Sequence, residues 1–337
     1  MKKLGKVLLI VLGAMVAVLA AAITFTIGWR PFIGPQARAL TSRKFESTPE
    51  RLAAGEHLVK TRACFSCHSQ HNWSADGMSS VPGTEGSGDV MPFLDLPGRV
   101  VAANLTPDPE TGAGSWTDDQ FARAIREGVG HDGRALFPMM PYSFFRKMSD
   151  EDLASIVVYL RSIPAVRHAL PKTEIIFPVK YLIRSVPQPV TGPVSAPDPS
   201  DRLKWGEYLV HMSWCAECHT PMSKGQSPPG MEFAGGFLIE YPGGTPVATA
   251  NITPDPSGIS YYDEDLFIQT IRTGKVRARQ LSSFMPYASF RDYSDDDLKA
   301  IFAYLRTLKP VKHRVDNSLP PTQCKICGLK HGGGDQN

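Results

Sequence analysis

Arg51–His68 reads RLAAGEHLVKTRACFSCH, and Arg202–His219 reads RLKWGEYLVHMSWCAECH. The two stretches align without a gap, and the likeness continues past them. ANLTPDP (Ala103–Pro109) matches ANITPDP (Ala250–Pro256), and FARAIREG from Phe121 matches FIQTIRTG from Phe267. MPYSFFRKMSDEDLASIVVYLRSI from Met140 matches MPYASFRDYSDDDLKAIFAYLRTL from Met285. One unit is written twice, with six more residues between histidine and methionine in the first copy.

Each copy holds Cys-x-x-Cys-His: Cys64, Cys67 and His68, then Cys215, Cys218 and His219. That spacing reads as c-type haem attachment. Two thiols three positions apart reach the two vinyl groups of one porphyrin, and the histidine is placed under the iron as an axial ligand. Its other ring nitrogen then donates to a carbonyl or a similar partner. Zinc calls for a second ligand pair close by, and a redox dithiol calls for a βαβ context. Neither surrounds Cys64 or Cys215, so two covalently bound haem c groups are expected. For the sixth position Met140 and Met285 are the candidates, because both precede Pro-Tyr in aligned turns before the last helix. Met139 is the local rival, with Phe284 as its counterpart. Met91 and His131 are others, and neither has a match in the second copy.

The local pattern is one of short helices. Leu52, Glu56 and Val59 predict a helix into the first haem motif, with Gly55 facing something close. Thr117 reads as an N-cap with Gln120 completing a capping box, and Asp263 does the same job in the second copy. Ser149 caps a third helix whose first turn holds Asp150, Glu151 and Asp152, where carboxylates suit the dipole. Leu153, Ile156, Val157 and Leu160 form its apolar stripe, repeated by Ser294, Leu298, Ile301, Phe302 and Leu305. Gly/Pro-rich loops such as Val81–Gly98 lie between motif and helices. A porphyrin is a large apolar object and serves as core for a unit this small.

The flanking segments differ in kind. Lys2, Lys3 and Lys6 precede an uncharged run from Val7 to Trp29, long enough for the ~30 Å of a bilayer core. A transmembrane anchor over residues 1–29 is expected; the rival is a signal peptide cleaved near Ala20-Ala21-Ala22. Residues 171–200 are proline-dense and read as a stiff, extended linker. Within it, IIFPVKYLIRS is apolar and basic, which suggests packing on the first unit or contact with membrane or a partner. The tail, residues 316–337, carries CKICGLKH. No histidine follows Cys327 directly, so this is no third haem site of the ordinary kind. In an oxidising compartment the expectation is a Cys324–Cys327 disulfide. The rival is a metal site using both thiolates with His331, and His313 as a fourth ligand. Composition is globular, 42% hydrophobic and 20% charged, with a formal charge of +3. About four haem propionates bring that near neutral, and no basic block interleaved with aromatics argues for nucleic acid.

From Arg51 to about Val315 the sequence resembles the class I cytochrome c superfamily. ANLTPDPETGAGSWT, followed by FPMMPYSFFRKMSDEDLASIVVYLRS, resembles the cytochrome subunits of bacterial membrane-bound alcohol and aldehyde dehydrogenases. Those subunits typically carry three haems and a C-terminal membrane segment, whereas this chain has two haem motifs and an N-terminal apolar run. The resemblance implies an all-α fold, with two tandem haem domains (45–170 and 201–315) after one transmembrane helix. It implies haem attachment outside the cytoplasmic membrane, hence N-terminus in and haem domains on the periplasmic side. It also implies single-electron transport in a respiratory chain, from a dehydrogenase to an oxidase or soluble cytochrome, with no catalytic residue of its own. The alternative is a dihaem redox enzyme of peroxidase or thiosulfate-oxidising type, with a displaceable ligand at the first haem.

Overall fold

A computed structural model describes residues 2–73, 80–242 and 244–337. The long N-terminal helix α1 (Lys2–Phe25) is long and apolar enough to cross a membrane, and its apolar stretch is not buried against the rest of the protein. It stops short of Trp29. Gly28 turns the chain at φ +70°, and a one-turn helix, α2 (Arg30–Ile33), begins with Pro31 near its start. Pro suits a first helical turn because its missing N–H would have no partner there.

Each repeat is then built the same way. In the first, α3 (Pro49–Thr61) leads into the haem motif, α4 (Asp118–Glu127) follows the loops, α5 (Tyr142–Phe145) carries the Pro-Tyr turn and α6 (Asp150–Ser162) closes the unit. A short linker helix, α7 (Val179–Leu182), comes next. The second repeat has α8 (Arg202–Met212), α9 (Cys215–His219) over its motif, α10 (Glu264–Thr273), α11 (Tyr287–Phe290) and α12 (Asp295–Thr307). Strands among the described residues are two- or three-residue antiparallel ribbons, such as Asp89–Val90 with Val101–Ala102 and its counterpart Leu238–Ile239 with Val247–Ala248. The fold is helical with ribbon-bearing loops.

Helix ends follow their caps. Thr117 Oγ1 accepts the Gln120 N–H and Gln120 Oε1 accepts the Thr117 N–H, a reciprocal box. Asp263 accepts the Leu266 N–H at 2.8 Å but gets no return bond, because an apolar residue stands at that position. The second repeat places its box at Ser294 and Asp297. Ser294 therefore stands before α12 as its cap and does not belong to the stripe. Leu298, Ile301, Phe302 and Leu305 do, and all are buried.

Terminal helices cross at glycine in both repeats. A Cβ on Gly55 would lie 2.1 Å from the Ser155 carbonyl oxygen, and one on Gly206 would lie 2.0 Å from that of Ala300. The bare backbone lets α3 sit on α6, and α8 on α12. Leu58, Val59, Phe121, Ile156 and Leu160 form one continuous core with Leu209, Phe267, Ile271, Leu298 and Leu305 of the other repeat.

The two repeats meet reciprocally. Helix α3 contacts α11, and α8 contacts α5, so the same pair of elements meets twice, as in an isologous two-fold contact. The seam is polar at its centre. Buried Arg62 donates to Tyr293 Oη, which bonds Ser213 Oγ at 2.7 Å. Tyr208 Oη accepts the Ser149 N–H at 3.0 Å and donates to Asp152 at 2.6 Å. Trp214 Nε1 donates to the Arg62 carbonyl at 3.2 Å. An aromatic chain, Trp73–Phe93–Phe284–Tyr241, crosses at the edge.

The linker does not run free. Glu174–Ile175 pairs with Gly98–Arg99, Arg146 donates to the Gln188 and Pro189 carbonyls, and Asp150 N–H donates to the Val194 carbonyl. Its apolar helix α7 packs against α2, where Arg184 donates to the Pro31 carbonyl at 3.0 Å. Chain ahead of α3 is fastened as well. Arg38 makes a two-pronged ion pair with Asp119 and a third bond to Glu127, each at 2.7 Å, and Thr41 N–H donates to Asp119 at 2.6 Å.

Candidate haem sites

Each Cys-x-x-Cys-His sits on a tight helical turn entered through a left-handed residue, Ala63 at φ +54° and Trp214 at φ +42°. Non-glycine residues adopt that conformation at a cost, and both repeats place it directly before the first cysteine. It swings the chain out of α3 or α8 so that both sulfurs and the imidazole leave the turn together. Cys64 and Cys215 are half-buried and pack against the core.

The imidazoles are fixed alike. His68 Nδ1 lies 2.7 Å from the Ala103 carbonyl, and His219 Nδ1 lies 2.7 Å from that of Ala250. A carbonyl only accepts, so Nδ1 carries the proton and Nε2 is left as the ligating lone pair. These partners open the repeated Ala-Asn-Leu/Ile-Thr-Pro-Asp-Pro segment. Its asparagines are buried struts: Asn104 donates to the Val166 carbonyl and Asn251 to that of Val311. Burial pulls the pKa of both histidines down, against their carbonyl bonds. Burial also pushes the thiols up, Cys64 and Cys215 to about 12 and Cys67 to about 11. Cys218 rises to about 12 through burial, then through Glu217, Cys215 and, across the seam, Cys67. The first motif borders the seam, where Ser66 Oγ lies 3.5 Å from Ser289 Oγ of α11.

Met140 and Met285 are held by matching turns. Met140 N–H donates to the Phe137 carbonyl and Tyr142 N–H to that of Met140; Met285 uses Ser282 and Tyr287 in the same way. The tyrosine rings dock on the C-cap glycines Gly128 and Gly274, where a Cβ would lie 2.5 Å from the ring. Both methionines are partly buried against the core. Of the rivals, the Met139 counterpart Phe284 is buried in the aromatic chain at the seam. His131 is exposed and stacks on Trp116. Met91 is buried in a loop ribbon. Two thiols, one imidazole with a free Nε2 and one thioether per repeat are a donor set that fits a covalently held haem.

Comparison with known proteins agrees. The cytochrome c family model matches residues 52–164 and 204–309. The chain is 30% identical over 270 residues to the fructose dehydrogenase cytochrome subunit of Gluconobacter japonicus, covering 76% of this chain and 52% of that one. It is 30% identical to the gluconate 2-dehydrogenase cytochrome c subunit of Pantoea cypripedii, covering 75% and 58%. It thus spans little more than half the length of those dehydrogenase subunits. A diheme cytochrome c-type protein of Cereibacter sphaeroides is 26% identical over 286 residues, covering 80% of this chain and 93% of that one. With both repeats matched, the chain belongs to the cytochrome c family and carries two covalently bound c-type haems.

Proposed function

We propose that this chain carries single electrons in a membrane respiratory chain, between a dehydrogenase and an oxidase or soluble cytochrome. Its two regions are read as tandem class I haem domains, residues 45–170 and 201–315, tethered by residues 1–29 with the haem domains on the periplasmic side. Cys64 and Cys67 would hold one haem covalently, with His68 and Met140 as the protein donors to its iron. Cys215 and Cys218 would hold the other, with His219 and Met285. When bound, each haem would supply a one-electron couple, and thioether and imidazole donors together would raise its potential and leave no site for exogenous ligands.

The observation that carries this reading is the equivalence of the two donor sets. Both repeats orient histidine through a 2.7 Å bond to an alanine carbonyl and place methionine in the same hydrogen-bonded turn. A redox enzyme needs one iron site that differs from a closed one. The chain's own residues fix the imidazole tautomers, exclude water with the apolar core, and hold the two repeats together at the seam. The relatives named as dehydrogenase cytochrome subunits support a dehydrogenase as donor.

The test is the ferric absorption spectrum of the purified holoprotein, read at the weak red band of Met–iron ligation. Met140→Ala and Met285→Ala are each expected to remove about half of its intensity. A Met140→Ala spectrum identical to wild type would show the first iron to be open or otherwise ligated, and would replace electron carriage with peroxidase or thiosulfate-oxidising chemistry.

A further inference from the structure

The tail folds back on the second repeat and brings Cys324, Cys327 and His331 to His313. We propose that these four side chains form a tetrahedral site for zinc. All four are buried, and their ligand atoms lie within 4.8 Å of one another. His313 Nε2 is 3.5 Å from Cys324 Sγ, His331 Nε2 is 3.5 Å from Cys327 Sγ, and the two Nε2 atoms are 3.1 Å apart. Zinc bonds of about 2.3 Å to sulfur and about 2.0 Å to nitrogen span tetrahedral edges of roughly 3.6 Å for N–S and 3.3 Å for N–N. The two N–S pairs and the N–N pair already stand near those separations, and the remaining pairs lie within 4.8 Å.

The hydrogen bonds around them point the same way. His313 Nδ1 lies 2.8 Å from the Ala234 carbonyl, and His331 Nδ1 lies 3.2 Å from that of Gly332. Each Nδ1 therefore carries the proton and each Nε2 presents a lone pair. Two lone pairs at 3.1 Å repel unless a cation stands between them. Cys324 Sγ takes the Cys327 N–H and Cys327 Sγ takes the Leu329 N–H, both at 3.5 Å, backbone donors of the kind that orient a metal-bound sulfur. Two thiolates neutralise a divalent ion, so the closed site carries no net charge into its apolar wall of Met231, Ala234, Val311 and Leu329. Two sulfur and two nitrogen donors select zinc over magnesium or calcium, which take oxygen.

The first repeat supplies a control. His168 is the counterpart of His313 and makes the equivalent bond to the Ser87 carbonyl, yet no tail reaches it. His313 is a loop strut inherited from the repeat, and the tail adds three ligands to it. The site closes through the ribbon Pro321–Gln323 with Lys330–Gly332, whose turn at Gly328 has φ +75°. It thereby staples the chain end to the loop whose Gly235 N–H donates to the His219 carbonyl at 2.7 Å.

The experiment is elemental analysis of the holoprotein purified as the full chain, with haem iron as internal standard, plus zinc-edge X-ray absorption. Wild type is expected to hold about one zinc per two irons, with a shell of two sulfurs and two nitrogens. Cys324→Ser/Cys327→Ser is expected to lose zinc about tenfold or more while keeping its haem iron, and His168→Ala to keep both. Zinc-free protein whose intact mass is lighter by two hydrogens would be the disulfide and would overturn the site. Stoichiometric zinc retained in the double variant would overturn it too. If that variant fails to fold, the absorption shell of wild-type protein decides: an oxygen-rich or sulfur-free shell refutes the assignment.

Discussion

Gly55→Ala probes the crossing that holds the first haem motif on its unit. On an open helix face the change would stabilise by about 0.5–1 kcal/mol, since alanine is the better helix former. Here the new methyl would lie 2.1 Å from the Ser155 carbonyl oxygen and 2.6 Å from Tyr159 Cβ. Neither is the free end of a flexible side chain, so α3 and α6 must part by roughly 1 Å, a gap that forfeits about a quarter to a half of each dispersion contact. A buried leucine makes roughly 40–60 such contacts of about 0.1–0.2 kcal/mol, so loosening one by a quarter costs about 2 kcal/mol. Leu58, Val59, Leu153 and Ile156 all belong to the core these helices share. With two such side chains loosened the cost is about 4 kcal/mol, and after the gain of about 0.5–1 kcal/mol in helix propensity the expected net loss is about 3 kcal/mol, at the upper end for an overpacked core. Denaturant unfolding of the holoprotein, followed by haem absorbance, reads it as a lowered midpoint. Gly192→Ala is the control: nothing lies within 4 Å of its Cβ position, and a change within about 0.5 kcal/mol is expected. Equal midpoints for the two variants would mean that backbone contact does not set the crossing.

Tyr293→Phe strips Arg62 and Ser213 of a shared partner inside the seam. A loss of about 1–3 kcal/mol is expected, read as a lower thermal midpoint, because a buried guanidinium loses an acceptor. Thr117→Ala removes one arm of the α4 capping box and is expected to cost about 1 kcal/mol, with faster amide exchange at Gln120. The Arg38 clasp has a defined acid limit. Burial alone would raise the Asp119 carboxyl, but Arg38 and Thr41 outweigh it and hold it at about 2, below its ordinary 3.8. A carboxyl depressed on folding stabilises above its unfolded pKa and loses that contribution as pH falls towards about 2. Exchange protection of Thr41 is therefore expected to be flat from neutral pH to about 4 and to fall below it. Protection already lost between pH 7 and 5 would contradict the clasp.

Much of the unit was legible because local chemistry dictates it. Cys64, Cys67 and His68 need only a turn to converge, and Thr117, Ser149 and Gly55 act on atoms a few residues away or on one crossing helix. The fold bears out Thr117 and Ser149 as caps and Gly55 as a close approach. The seam between repeats was not read, since no short-range rule encodes it. A signal was present, however. Tyr208 and Tyr293 stand where the first repeat has His57 and Met148, and both departures lie on the seam. Proline density in the linker predicts a stiff, extended segment but does not specify where it docks. Its backbone groups are taken up by Gly98–Arg99, Arg146 and Asp150, because an extended segment offers unpaired donors and acceptors to any surface it crosses. In the tail, His331 and the two cysteines were visible as a group. Their common distance to His313 depends on where the ribbon docks, which spacing does not specify.

The reciprocal seam has a consequence for assembly. A unit that contacts its copy through the same two elements has the geometry of a homodimer whose subunits share one chain. Joined by the linker, the halves meet at an effective concentration of about millimolar order, so their contact needs no affinity sufficient for two free molecules. That relaxes the demand for a large apolar patch and leaves room for the hydrogen-bonded Arg62, Tyr208 and Tyr293 at its centre. Fusion also frees the halves to diverge. Among the described residues the membrane-length helix precedes the first half, and the cysteine-bearing tail follows the second.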